Sequence, residues 1–153
     1  MIQRIQTIHL LVVAALLAVT LFAPLAWFAG ASGEFALHAF ALRSGGEAVQ
    51  PTLYLGISLV LACLVPLVTI FLFRNRMLQL RLCAVEAVLL VGAVVMEAVH
   101  YYLSRRVFAA ESFHTQGFEP AVALPLVALL FVWLAARAIF RDEVMVRAAD
   151  RIR

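Results

Sequence analysis

Charge is scarce in this sequence, and lysine is absent. Only 14% of the 153 residues are charged and 65% are hydrophobic, whereas soluble domains are roughly half apolar. This composition excludes an ordinary water-soluble globular protein and requires lipid as the solvent for much of the chain. The net charge of +3 rests on twelve arginines, most of them in connections and the tail. It therefore indicates topology and contact with anionic lipid headgroups, and no nucleic-acid partner is expected.

Cysteine is rare and long polar stretches are missing. Cys63 falls in the middle of one apolar block and Cys83 at the start of the next, at depths too different for a disulfide. The connections are too short to form a soluble domain with its own core. Any site would have to be built from membrane helices, so we expect no enzymatic activity of a soluble type.

What the sequence does contain is four apolar blocks of about 20 residues, each long enough to cross a hydrocarbon core ~30 Å thick. They span about 7–28, 53–73, 82–103 and 120–140, followed by a tail over 141–153. We predict a single all-α domain, an antiparallel bundle of four transmembrane helices. A cleaved signal peptide is the alternative for the first block, but its apolar run of ~19 residues exceeds the usual 7 to 15.

A turn signal lies between the first two blocks. Ser44-Gly45-Gly46 suits a tight turn, and the segments 35–42 and 48–54 flank it. These segments predict a small extracytoplasmic β-hairpin. Alanines blur the alternation and an isolated hairpin is marginal in water, so an irregular loop is the alternative.

The arginines set the expected orientation. Nine of the twelve lie near the amino terminus, in the second connection or from residue 137 onward, and only Arg43, Arg105 and Arg106 lie on the other side. Because positive residues concentrate on the cytoplasmic side, we expect a bacterial inner-membrane protein with both termini in the cytoplasm.

Three stretches carry a resemblance to a known family. They are 1–7 (MIQRIQT), 71–83 (FLFRNRMLQLRLC) and the tail from 137 to 153. Together they resemble a family of small inner-membrane proteins of Bacteroidetes-type bacteria, known as domain of unknown function 4293. The resemblance implies four membrane helices and an inner-membrane location, but no activity, ligand or catalytic residue. The chain departs from the family's pattern in having two glutamates in its third block.

Those two glutamates, Glu86 and Glu97, are the first candidates for function, because ionisable groups within the hydrocarbon region are costly. Eleven residues apart, they lie on one face of a helix, and His100, Tyr101 and Ser104 extend that face outward. One interpretation is a proton or ion path. The alternatives are pairing that only fixes helix register, or an interface with a partner protein.

Depth along the helices predicts a partner for Glu97. At nearly the same level lie Ser58, Thr20 and His100, so we expect a protonated carboxyl that hydrogen-bonds one of them.

Depth also predicts a partner for Glu86. Arg137 lies at the same level on the fourth block, and Thr69 or His9 is a possible third member. The alternatives are that Arg137 extends to the headgroups alone and that Glu86 meets Arg81.

Two Glu-x-x-His motifs, at 97–100 and 111–114, have the spacing that helical bundles use for a pair of metal ions. The signal is weak because the second motif falls in a connection after the same helix. His9 and His100 lie near opposite ends of their helices, too far apart to share a haem iron. We therefore predict no metal and no cofactor.

The leading functional hypothesis is a non-enzymatic accessory or scaffold protein, which holds a partner membrane protein or a second copy of itself, or organises lipid. A small transporter or channel subunit that uses the polar face of Glu86 and Glu97 is the alternative.

The predicted topology can be tested with reporters. A reporter fused after Arg153 and another inserted near Asn75 should both be cytoplasmic, while one near Gly46 should be outside. Exchange of any of these positions between the two sides would rule out the four-span arrangement.

Overall fold

The computed structural model describes residues 2–30, 33–72, 75–108 and 114–150. These residues form four α-helices, five β-strands and one short 3-10 helix. The helices are α1 (Ile2–Phe22), α2 (Leu53–Phe71), α3 (Arg76–Phe108) and α4 (Leu124–Asp150); the strands are β1 (Ala26–Gly30), β2 (Gly33–Leu37), β3 (Ala41–Ser44), β4 (Glu47–Pro51) and β5 (His114–Phe118); the 3-10 helix is Pro120–Ala123.

All four helices are long and apolar enough to cross a membrane. Helix α1 packs against α2 and α4, and α3 packs against the same two helices. The connection from α1 to α2 and the connection from α3 to α4 enter one sheet. Helices α1 and α3 therefore run toward the sheet, and α2 and α4 run away from it.

The expectation of an all-α fold with at most a small hairpin is wrong. The chain forms a five-stranded antiparallel sheet in the order β4-β3-β2-β1-β5. The first connection supplies four strands, and β5 comes from the last connection and pairs with β1. The expected turn exists, with φ +57° at Gly45 and +92° at Gly46. It joins β3 to β4, whereas part of the expected first arm belongs to β2 and Tyr54 belongs to α2.

Helix boundaries also differ from the sequence expectation. Helix α1 ends at Phe22 and not near Phe28, because Pro24 disfavours helical backbone at the residue before it, and Trp27 and Phe28 join β1. Helix α3 has 33 residues, about 50 Å, which is longer than the ~30 Å needed to cross a hydrocarbon core. Helix α4 continues into the tail through Asp150.

The carboxyl-terminal end of α3 carries the sheet. Tyr101 stacks on Phe118 of β5 with ring centroids 4.3 Å apart, and its ring lies 5.4 Å from that of Phe28 in β1. The sheet face turned toward Tyr101 is buried and apolar, formed by Ala26, Phe28, Leu37 and Leu42. Aromatic contacts of this kind add to the burial of apolar area in holding the sheet on the helix.

A second contact joins the sheet to α2. The buried Thr52 hydroxyl lies 3.1 Å from the carbonyl oxygens of both His38 and Ala39, and its backbone N–H donates to Phe40. The Phe40 ring then lies directly over Gly56, where a Cβ atom would overlap it. A side chain at position 56 would thus separate the sheet from the start of α2.

This contact predicts different outcomes for two glycine substitutions in helices. Gly56→Ala should destabilise the protein by about 1–3 kcal/mol through overpacking, partly offset by a helix-propensity gain of about 1 kcal/mol. Gly92→Ala, where no atom lies within 4 Å of a built Cβ, should be neutral or stabilising. Thermal unfolding in detergent measures both. Equal melting temperatures for the two variants would contradict the Phe40–Gly56 contact.

Candidate functional site: the buried polar face of helix α3

Helix α3 buries four polar side chains on one face, while its arginines at 81, 105 and 106 are exposed. The buried positions are separated by three, four or seven residues, which places them on the same side of the helix. They are Gln79, Cys83, Glu86, Leu90, Ala93, Glu97 and Ser104. Valines cover the opposite, exposed face, at positions 85, 88, 91, 95 and 99. This distribution is the reverse of a soluble protein's and suits a helix surrounded by lipid.

The two glutamates lie on this face, where the sequence placed them. Glu86 is 1% exposed and Glu97 is 3% exposed. Gln79 and Cys83 also belong to the face but were not among the predicted residues. The signal was present, because counting back from Glu86 by three and then four residues reaches both.

Among the residues that the structure describes, Glu86 has no hydrogen-bond partner. Both of its carboxyl oxygens are buried and lack a hydrogen bond. The thiol of Cys63 on α2 donates to the Ala14 carbonyl at 3.6 Å. A carboxyl group in this setting is expensive to bury and is therefore a candidate for proton or cation binding.

The expected pair between Glu86 and Arg137 does not form. Arg137 lies on the exposed side of α4, and its guanidinium carbon is 5.4 Å from the centre of the Trp133 ring. The Thr69 hydroxyl donates to the Val65 carbonyl of its own helix. The expectation rested on matched depth, which carries no information about which way α4 is rotated. The alternative, in which Arg137 extends alone to the headgroups, stays a prediction.

The expected partners of Glu97 are also wrong. Its Oε1 atom is buried without a hydrogen bond. The Thr20 and Ser58 hydroxyls donate to Leu16 and Leu55 at 3.0 and 2.8 Å, and the His100 Nδ1 lies 2.9 Å from the Met96 carbonyl. Each of these three side chains satisfies a carbonyl of its own helix, a common local solution in membrane helices.

An ion pair between α3 and α4 exists at the end away from the sheet. Arg76 Nη1 lies 3.1 Å from Asp142 Oδ2 and also donates to the Asp142 carbonyl at 3.1 Å. Nearby, Gln79 donates to the Thr69 carbonyl at 3.0 Å and so ties α3 to the end of α2. Sequence reasoning missed both contacts because it treated position 142 as tail and positions 76 and 79 as loop.

The polar face is interrupted. Glu86 and Glu97 are about 16 Å apart along the helix axis, and the buried residues between them, Leu90 and Ala93, are apolar. A proton or ion passing from one carboxyl to the other would need water in this layer. The geometry therefore gives two separate buried carboxyl sites.

Metal binding finds no support in the described chain. Within residues 2–30, 33–72, 75–108 and 114–150, no group of three or more His, Cys, Asp or Glu side chains could hold a metal ion. His100 of the first Glu-x-x-His motif faces the Met96 carbonyl. Glu111 of the second motif lies outside the described residues, as does the side chain of His114.

Comparison with known families gives a match over nearly the whole chain. The chain belongs to the family described as domain of unknown function DUF4293, whose model matches residues 2–152. The family inferred from the sequence is therefore confirmed, while its bacterial group and the inner-membrane location stay predictions. A comparison with curated proteins gives no match.

Two double-mutant cycles test which charges interact. Arg76→Gln and Asp142→Asn should be non-additive in thermal stability, by about 0.5–1 kcal/mol for a partly exposed pair. Glu86→Gln and Arg137→Gln should be additive, because Glu86 faces the interior and Arg137 faces outward. Unfolding in detergent measures both cycles, and coupling only in the second would contradict the arrangement described here.

Proposed function

We propose that the chain is a non-enzymatic accessory or scaffold protein of the bacterial inner membrane, with both ends in the cytoplasm and the sheet on the extracytoplasmic face. The observation that carries this proposal is the sheet itself. Two separate connections combine to build it, and Tyr101 fixes it on the carboxyl-terminal end of α3. Such a platform can hold a partner membrane protein or a second copy of the chain.

Charge supports the orientation. Arg76 and Arg81 lie at the start of α3, and Arg141 lies in the second half of α4, so all three are toward the end of the helices away from the sheet. Because arginines concentrate on the cytoplasmic side of membrane proteins, this distribution supports an orientation with the sheet outside.

The interior supports a structural role. Leu90 and Ala93 separate the two buried glutamates, so the polar face of α3 lacks a continuous polar path. Large apolar side chains instead point outward from every helix, as with Leu11, Leu61, Val88 and Leu130. These surfaces suit lipid or a partner helix.

A small transporter or channel subunit is the second candidate. The specific observation in its favour is Glu86, whose two carboxyl oxygens are buried without a partner. Proton transport uses an ionisable side chain inside the membrane, whereas a purely structural role could be filled by a neutral side chain.

Two measurements on the solubilised chain separate the candidates. Native mass spectrometry of tagged protein taken gently from its own membrane should give a complex of fixed stoichiometry with a second membrane protein or a second copy. Purified protein in liposomes should conduct protons no faster than the Glu86→Gln variant.

Transport would give the opposite pattern. A monomeric protein whose proton flux falls several-fold in Glu86→Gln but stays unchanged in the Arg137→Gln control would replace the scaffold role with transport.

A further inference from the structure

The face of the sheet turned away from Tyr101 has an alternating row of large and small residues. Trp27 stands directly opposite Gly117 on β5 and Ala36 on β2, and Ala36 stands opposite Arg43 on β3. Directly opposed residues point to the same side of a sheet, so these four share one face. Ala29 and Glu34 form the next pair of that face, farther from the helices.

The row leaves a hollow over the alanines. The Trp27 indole leans across β5, since a Cβ atom built on Gly117 would lie 2.6 Å from its Nε1. It therefore leaves Ala36 uncovered. The result is a groove of about 510 Å³ with Ala29 and Ala36 in its floor and Trp27 and Arg43 in its walls, a volume typical of small-ligand sites.

Opposite charges occupy successive levels of this groove. Arg43 lies at the level of Ala36, and Glu34 lies two residues farther out on β2, about 7 Å along the strand. Within the described part of the sheet, no ion pair joins Glu34 to Arg43 or to another residue. Both charges are thus available to a ligand that carries an anion nearer the helices and a cation farther out.

His38 marks the end of the groove that meets the helices. His38 belongs to the lining of the groove and follows β2 directly in the chain. Burial, and then the nearby Arg43 guanidinium, lower the pKa of His38, which leaves the ring neutral at pH 7. A neutral ring adds no second positive charge beside Arg43 and can offer its unprotonated nitrogen as an acceptor.

We propose that this groove binds the headgroup of a phosphoethanolamine phospholipid in the outer leaflet of the membrane. Arg43 binds the phosphate, and Glu34 binds the ammonium. This inference rests on the proposed orientation of the chain, which places the sheet outside.

The order of charges favours this ligand class. A phospholipid in the outer leaflet has its phosphate at the membrane boundary and its ammonium farther into the water, and the groove presents arginine and glutamate in that order. Arginine is the side chain best suited to phosphate because its planar fork donates two hydrogen bonds. The Trp27 indole is also suited to the membrane interface, where its apolar ring and N–H meet lipid and water.

Lipid binding to the full chain in detergent tests the site directly. Native mass spectrometry should show tighter binding of a phosphoethanolamine lipid than of a phosphoglycerol lipid with the same acyl chains. Arg43→Gln should weaken both by about tenfold, since a hydrogen-bonded charge is lost. Glu34→Gln should remove only the preference between them, because phosphoglycerol has no ammonium.

Matched variants control for folding. Ala36→Leu fills the floor and should abolish binding, while Gln50→Leu should leave it unchanged, because Gln50 is an exposed residue of β4 outside the groove and pairs with Leu42 on the other face of the sheet. Glu47→Gln, at another exposed acid on β4, is the corresponding control for Glu34→Gln. Equal binding of the two lipids by the native chain, or undiminished binding by Ala36→Leu, would overturn the proposal.

Two further measurements are needed. The first distinguishes a lipid from a soluble ligand, and the second shows whether a negative result concerns the groove or the proposed orientation of the chain. Free O-phosphoethanolamine should compete poorly, because it lacks the acyl chains; competition as strong as that of the lipid would replace the lipid with a soluble ligand and overturn the assignment. A reporter near Gly46 found in the cytoplasm would overturn the orientation on its own, whereas loss of lipid preference with an outside reporter overturns only the groove.

Discussion

The pairing of β1 with β5 is the contact on which the other features depend. It joins the connection after α1 to the connection after α3, across five directly opposed residue pairs. Those two helices must therefore end on the same side, and α2 and α4 must begin there. The same pairing sets Trp27 against Gly117 and brings Phe28 and Phe118 together around Tyr101. Backbone hydrogen bonds within the sheet thus organise helices whose own contacts are mainly apolar.

In the interior between the four helices, the polar face of α3 is subject to a different constraint. Polar side chains that faced lipid would be costly, so they turn inward, and the hydroxyl groups nearby satisfy carbonyls of their own helices. At the end away from the sheet, Gln79 hydrogen-bonds α2 and Arg76 forms an ion pair with α4, so both side chains join α3 to its neighbours. Glu86 and Glu97 stay buried on either side of an apolar layer. The interior of the four helices therefore contains two carboxyl groups that are separated from each other. Between them, the helices are held together by apolar packing.

Hydrophobicity and helical periodicity predicted the four spans and the shared face of Glu86 and Glu97, because both follow from spacing along one helix. They could not predict the partners of those residues, since matched depth leaves the rotation of the neighbouring helix open, as Arg137 shows. The sheet was missed for another reason. Trp27 and Phe28 continue an apolar run, and β5 has no partner nearby in sequence, so its pairing is visible only in three dimensions. Pro24 was the available signal that α1 ends early.

Disulfide cross-linking between β1 and β5 tests the central pairing most directly. Ala29 and Thr115 are directly opposed, at a Cα separation of about 5 Å that a disulfide can bridge. In a chain whose Cys63 and Cys83 are replaced by alanine, Ala29→Cys with Thr115→Cys should cross-link under mild oxidation in intact membranes. Ala29→Cys with Ala48→Cys, three strands apart, should not. Single cysteines that label readily while the 29–115 pair fails to cross-link would contradict the sheet.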